Sequence, residues 1–401
     1  MFTFVVYQVF VVDILKHMKN ILSLILMLLS LSMYGQKIPV MQKKIVGNEH
    51  RIDVYTATQN KAEVLNVSQI AEDIEFLPLE TTDECLLGNN IMNLVVTSKD
   101  IIIFDYEVCY RFNRKGKFLN KIGVKGNGPG EYVKPMYVTV DTLNKWVYMG
   151  DYMVKRFVKY DYEGKHLADI KVDGVGMGNW LYKPGFILME SDFYQFAPKG
   201  KRYSLTMFSE KENRIISRMR CDYKEDVPRM AICKPIAYNH MNNTYVKDFF
   251  CDTIYKVVDP YHLESYAYVD KGDYKLPKKP TLREIMSFAI IDIQESDRYI
   301  ILTTSKGRVY YDKKEKKAIG AGTLHQPKLL TARDDLYGGP GLEGFYVNGN
   351  TIYTFRYPHE FEEFGNNKHR ITDARYNAYC KMVEGLNSED NPVIMIVKLK
   401  K

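Results

Sequence analysis

Four acidic residues at the ends of strand-like runs are the first candidates for chemistry. They are Asp105 after Ile101-Ile102-Ile103-Phe104, Asp151 after Val147-Tyr148-Met149-Gly150, Glu190 after Phe186-Ile187-Leu188-Met189, and Asp248 after Thr244-Tyr245-Val246-Lys247. If these runs are equivalent strands around one axis, their carboxylates ring one mouth of a channel. Converging carboxylates take Ca²⁺, or accept the hydroxyl hydrogens of a polyhydroxylated ligand. The structural alternative is that each acid satisfies backbone N–H groups of its own tight turn, which Asp does well. A second polar group surrounds the loop Tyr337-Gly338-Gly339-Pro340-Gly341-Leu342-Glu343-Gly344, where Arg333 and Glu343, with Asp334 and Asp335, are candidates for a ligand mouth.

Other chemistries find less support. Gly126-Asn127-Gly128-Pro129-Gly130-Glu131-Tyr132 invites a phosphate loop, but a dinucleotide fingerprint needs a strand before it and a helix after it. Here Pro129 and Pro135 interrupt, and the next regular element reads as a strand. No Gly-Lys-Ser or Gly-Lys-Thr is present to make a Walker loop. The glycines fit a connection between sheets, where positive φ is required. There is no GxSxG elbow, and the eight His share no repeat position. The six Cys have no CxxC and no zinc-ligand spacing. A catalytic set and a metal site are therefore not assignable from the residues.

The elements that position the acids form a repeat. An apolar strand ending in a polar or acidic residue is followed by a second strand rich in aromatics, a Gly-Lys turn and a third strand. The clearest copies are 101–119 and 146–167, with a weaker one at 186–201 whose second strand is expected over Phe193-Tyr194-Gln195-Phe196. Further candidates begin at Thr244, Arg298 and Thr351. The anchors lie roughly 40 to 58 residues apart, the scale of a four-stranded propeller blade with variable loops. Each anchor run is expected to be the first strand of its blade, the one lining the channel. Six blades leave two open edges unless the ring closes. A strand at 74–79 and another at 392–399 are spare, so one terminus completes a blade begun by the other. A strand is also expected at 63–67. Helical patterning appears twice, at 281–289 after a plausible Thr cap and at 373–384. The predicted fold is all-β: a six-bladed β-propeller of four-stranded antiparallel blades with two small helical insertions.

Composition agrees. With 31 Tyr and 19 Phe against 2 Trp, the chain favours pleated, half-buried surfaces. Net charge is +7, but Lys and Arg are scattered, and Lys313-Lys314-Glu315-Lys316-Lys317 reads as a hairpin turn, so nucleic acid is not an expected partner. Met18-Lys19, an apolar run at 21–31 and the small residues Ser30, Ser32 and Gly35 read as a secretory signal, too short for a comfortable membrane span. Residues 1–17 precede it as an upstream segment that a start at Met18 would leave out. The expected organisation is 1–35 upstream segment plus signal, 36–59 extended lead-in and 60–401 propeller.

The segment 126–132 with Pro135, Val147-Tyr148-Met149-Gly150-Asp151 and Arg156-Phe157 resembles the NHL-type propeller repeat. The wider chain is similar to six-bladed propellers exported by Bacteroides-like bacteria, notably at 76–88, Asp252-Thr253-Ile254-Tyr255 and Asn391-Pro392-Val393-Ile394-Met395. That resemblance implies a fold and a periplasmic or secreted location, with no assigned reaction. The expected function is an extracytoplasmic binding module for a glycan, a peptide or an envelope protein, with any membrane anchor removed at signal cleavage. The ligand-binding candidates are Asp105, Asp151, Glu190, Asp248, Arg333 and Glu343. The alternative is a Ca²⁺-dependent hydrolase or lyase using a carboxylate-lined central channel, with Asp105, Asp151 and Asp248 as the direct ligands.

Overall fold

The structure, a computed structural model, describes residues 37–59, 65–172, 174, 176, 178–191, 202–221, 233–321, 332–343, 345–362 and 373–401. The expected signal segment and the strand expected over Phe193-Tyr194-Gln195-Phe196 lie outside the described residues.

Six antiparallel sheets follow one another along the chain. Blade 1 runs inner to outer through Asn93–Val96, Asp100–Phe104, Cys109–Asn113 and Phe118–Ile122. Blade 2 uses Pro135–Asp141, Trp146–Asp151, Arg156–Asp161 and His166–Lys171. Blade 3 uses Asn179–Lys183, Phe186–Glu190, Tyr203–Ser209 and Arg214–Arg220. Blade 4 uses Ile236–His240, Asn243–Lys247, Thr253–Asp259 and His262–Asp270. Blade 5 uses Ile290–Glu295, Tyr299–Thr304, Gly307–Asp312 and Lys317–Ala321. Blade 6 uses Phe345–Asn348, Thr351–Arg356 and Val393–Leu399, and its outer strand is Ala71–Pro78 from the other end of the domain.

That last pairing closes the ring. Val393 stands opposite Pro78 and Leu399 opposite Ala71, so seven residues of backbone that would otherwise be a bare edge are paired. The two spare strands of the sequence are these two.

The apolar anchor runs are second strands, not first strands, and this corrects the sequence assignment. Asp100–Phe104 is buried at all five positions because it is central in its sheet and covered by a neighbouring blade on each face. Inner strands have one edge towards the axis, so they carry more polar residues and give a weaker signal. Other differences are local. Over 63–67, Asn66 makes an isolated bridge to Arg333 and Val67–Ile70 is a helical turn. The lead-in is not merely extended. Gln42–Lys44 and His50–Asp53 add to the outer strand of blade 4 in parallel, and the helix Val54–Gln59 follows. The two expected helices are Leu282–Ser287 and Asp373–Glu384, the first opened by a reciprocal Thr281–Glu284 capping box; Pro358–Glu362 is a further short one.

The glycine stretch joins blade 1 to blade 2. Gly126 N donates to Tyr132 O at 2.9 Å and Tyr132 N to Val124 O at 3.0 Å, so it folds back on itself as a clamp. Gly123 has φ +76°, and a Cβ there would sit 2.7 Å from the Tyr160 ring, so the turn admits no side chain.

Candidate functional site

Each inner strand is hydrogen-bonded to the next, and a side chain makes the bond at all six junctions. Val138 N donates to Asn93 Oδ1 at 3.1 Å, Thr139 Oγ1 to Asn179 O at 3.0 Å, and Asn239 Nδ2 to Leu181 O at 3.0 Å. Tyr238 OH donates to Glu295 Oε2 at 2.9 Å, Val347 N to Gln294 Oε1 at 3.4 Å, and Asn348 Nδ2 to Val96 O at 2.8 Å. Amides dominate because inner strands face one another edge to edge, where a short side chain with a donor and an acceptor bridges two backbones.

Within this ring, half-buried side chains on the inner strands gather near their N-terminal ends. The Tyr137 and Trp180 rings, on blades 2 and 3, lie 6.0 Å apart and tilted by 49°. Asp292, on the opposite blade 5, accepts from Gln294 Nε2 at 3.1 Å. Burial holds the Asp292 carboxyl above its ordinary range, against the pull of the Gln294 amide, the Ile293 N–H and the Arg308 charge. Burial also raises the Tyr137 phenol, and the Asp292 charge adds to that shift. Burial lifts Tyr346 of blade 6 to about 12, with Tyr137 contributing. These side chains offer an aromatic pair, an amide and a carboxyl whose pKa burial raises. They suit stacking on a ring and hydrogen bonding to hydroxyls.

The residues singled out in the sequence stand elsewhere. Asp105, Asp151, Glu190 and Asp248 are all buried at the C-terminal ends of second strands, one strand out from the axis. Asp105 accepts from Gly88 N at 2.9 Å and from Glu107 N and Val108 N at 3.1 and 2.8 Å. Asp151 accepts from Val133 N at 2.7 Å and Lys134 N at 3.3 Å. Asp248 accepts from Phe250 N at 2.9 Å and from the Cys221 thiol at 3.5 Å. The Glu190 backbone N–H donates to Gly178 O at 2.8 Å. Gly88, Val133 and Gly178 belong to the loops that lead into inner strands. The Asp105 and Asp151 carboxylates therefore strap those loops in place, while Asp105 and Asp248 also accept from N–H groups of their own turns. Glu343 lies at the rim, paired with Arg356 at 3.1 Å. Arg333 is away from the ring, with Nη2 donating to Asn66 Oδ1 at 2.9 Å near the start of the closing strand. Among the described residues no three His, Cys, Asp or Glu side chains gather as metal ligands.

Asn93, Tyr137, Trp180 and Asp292 were missed. Asp292 had a visible cue: it sits inside the alternating run Ile290-Ile291-Asp292-Ile293, where a buried acid is unexpected. Tyr137 had none, being one Tyr among many.

A family model described as a domain of unknown function (DUF4934) matches residues 49–398. The comparison with curated proteins found no match. Among solved structures, a Bacteroides fragilis protein described as a candidate exported protein is similar over 89% of this chain and 100% of its own, with a TM-score of 0.63 and 17% identity. A DUF4221-family member from Bacteroides vulgatus is similar over 85% of this chain and 99% of its own, with a TM-score of 0.51 and 11% identity. At these identities the likeness speaks for the fold.

Proposed function

The chain belongs to the DUF4934 family, and from that premise we propose that it is an extracytoplasmic binding propeller whose channel mouth holds a glycan. The observation that supports this reading is the pair of half-buried rings, Tyr137 and Trp180, on neighbouring inner strands, with the half-buried Asp292 on the inner strand of blade 5. Aromatic faces take the apolar face of a sugar ring, while the Asn93 amide and the Asp292 carboxyl meet its hydroxyls. Asp105 and Asp151 serve by fixing loops that lead into the inner strands, and Glu343 with Arg356 forms part of the rim. The signal-like residues 18–35 support export, as does the description of the Bacteroides fragilis neighbour. No observation favours the calcium-dependent hydrolase.

The two Trp residues make the test direct. Trp180 belongs to the ring pair, whereas Trp146 lies under the Lys159 ammonium, 3.4 Å from its ring centre. Titrating the purified protein with neutral oligosaccharides is expected to change the tryptophan emission. Trp180→Phe removes the change and Trp146→Phe keeps it. Asp292→Asn, which keeps a hydrogen-bonding group at that position, retains affinity, whereas Asp292→Ala loses about five- to tenfold, the worth of about one hydrogen bond. If no oligosaccharide changes the emission and calorimetry shows no heat, the glycan reading is wrong.

A further inference from the structure

A cleft of about 390 Å³ opens on blade 2, lined by Asn127, Val133, Val154, Lys155, Arg156 and Lys171. One wall is the glycine clamp, held by Gly128 N donating to Glu131 Oε2 at 2.8 Å. The other is the end of the blade where the hairpin between its second and third strands meets the end of its outer strand. There Arg156 stands directly opposite Lys171 in the antiparallel register. Val172 N donates to Lys155 O at 3.0 Å, which fixes Lys155 beside them in a left-handed backbone conformation, φ +50°. Three cations thus share one end, and like charges placed opposite each other across strands destabilise a sheet.

The neighbouring acids do not relieve this. Asp169 is shared by Arg156, at 3.0 Å, and His166, at 3.1 Å, and Glu131 caps its own loop. Among the described residues neither Lys155 nor Lys171 makes an ion pair, and Arg156 Nε is buried without a hydrogen-bond partner. A cleft bounded by two lysines without an ion-pair partner among the described residues, beside the Asp169-paired Arg156 and with an amide at its lip, is complementary to an oxyanion.

We infer that this cleft is an anion subsite for the carboxylate or sulfate ester of an acidic polysaccharide. It stands on its own observations and does not rest on the channel mouth. The glycine clamp, unfit as a nucleotide loop, supplies the fixed wall and places Asn127 at the opening.

The test uses the purified protein on affinity gels containing dextran sulfate, polygalacturonate or neutral dextran, at low salt and at 0.5 M salt. Wild-type protein is expected to be retarded by at least one of the two acidic polymers at low salt and released at high salt. Retardation by one alone identifies sulfate or carboxylate as the group recognised. Lys155→Gln/Lys171→Gln, both exposed, is expected to weaken retardation at least about tenfold. The double variant Lys99→Gln/Lys115→Gln removes the same charge from blade 1 and is expected to bind as wild type. Equal losses in the two double variants would reduce the effect to net charge and overturn the subsite. So would wild-type protein that no acidic polymer retards.

Discussion

Glu295→Ala is expected to lower the unfolding free energy by about 3–5 kcal/mol, the cost of breaking a buried ion pair from one side. The Glu295 side chain is fully buried. Its carboxylate accepts from Tyr238 OH at 2.9 Å and Tyr266 OH at 2.6 Å, both on blade 4, and pairs with Lys313 Nζ at 2.7 Å, beside blade 5. Burial, reinforced by the Glu295 charge, pushes both phenols up, so they remain protonated donors. Removing the carboxylate leaves two hydroxyls and an ammonium without their acceptor, and it breaks the only inner-strand junction that depends on a charged side chain. Glu295→Gln keeps an acceptor oxygen and loses the charge, so its cost is smaller, about 2 kcal/mol. Urea unfolding of the three proteins checks the order. An alanine variant within about 1 kcal/mol of wild type would show that the junction is held by apolar packing alone.

The same cluster shows what the sequence can and cannot reveal about this ring. Second strands such as Asp100–Phe104 and Tyr299–Thr304 announce themselves because a strand covered on both faces must be apolar throughout. Counting them gives six blades, and the surplus at both ends gives the closure. Inner strands are short and mixed, and Asn93–Val96 has only four residues. Their identity depends on which edge meets the axis, a property of the assembled ring. The inner-strand residues are hidden for that reason, whereas the acids beside the strong strands stand out. Local pattern does show the turn-capping part of Asp105, which bonds the N–H groups two and three residues ahead. What local pattern could not show was the longer strap to Gly88. The lead-in strands were equally hidden, because Gln42–Lys44 finds its partner at His262–Glu264, more than two hundred residues away.

Lys247→Met is expected to stabilise the protein at and below neutral pH by a few kcal/mol, with the gain vanishing as pH rises. Lys247 ends the second strand of blade 4, is 2% exposed, and donates from Nζ to Asp248 O at 3.0 Å. Burial lowers its pKa from 10.5 to about 7, and the Lys271 ammonium, paired with Asp252 at 2.9 Å, adds to the shift. Below pH 7 the lysine is charged in both native and unfolded chains, and the penalty for burying that charge is present in full. Between about 7 and 10.5 the unfolded chain binds one more proton than the native one, so the wild type gains stability as pH rises. Above that window both states are neutral at this residue. At about 1.4 kcal/mol per pH unit the window is worth at most about 5 kcal/mol. Loss of the bond to Asp248 O removes about 1 kcal/mol from the gain. Urea unfolding at pH 6, 8 and 10 should therefore show Lys247→Met well ahead at pH 6, closer at pH 8 and level or slightly behind at pH 10. A gap that does not change with pH would mean that Lys247 keeps its charge in the folded protein. In that event the Asp248 carboxylate, whose Oδ2 is buried without a hydrogen-bond partner, is the group placed to hold that charge, and Asp248→Asn would then destabilise wild type more than it destabilises the Lys247→Met variant.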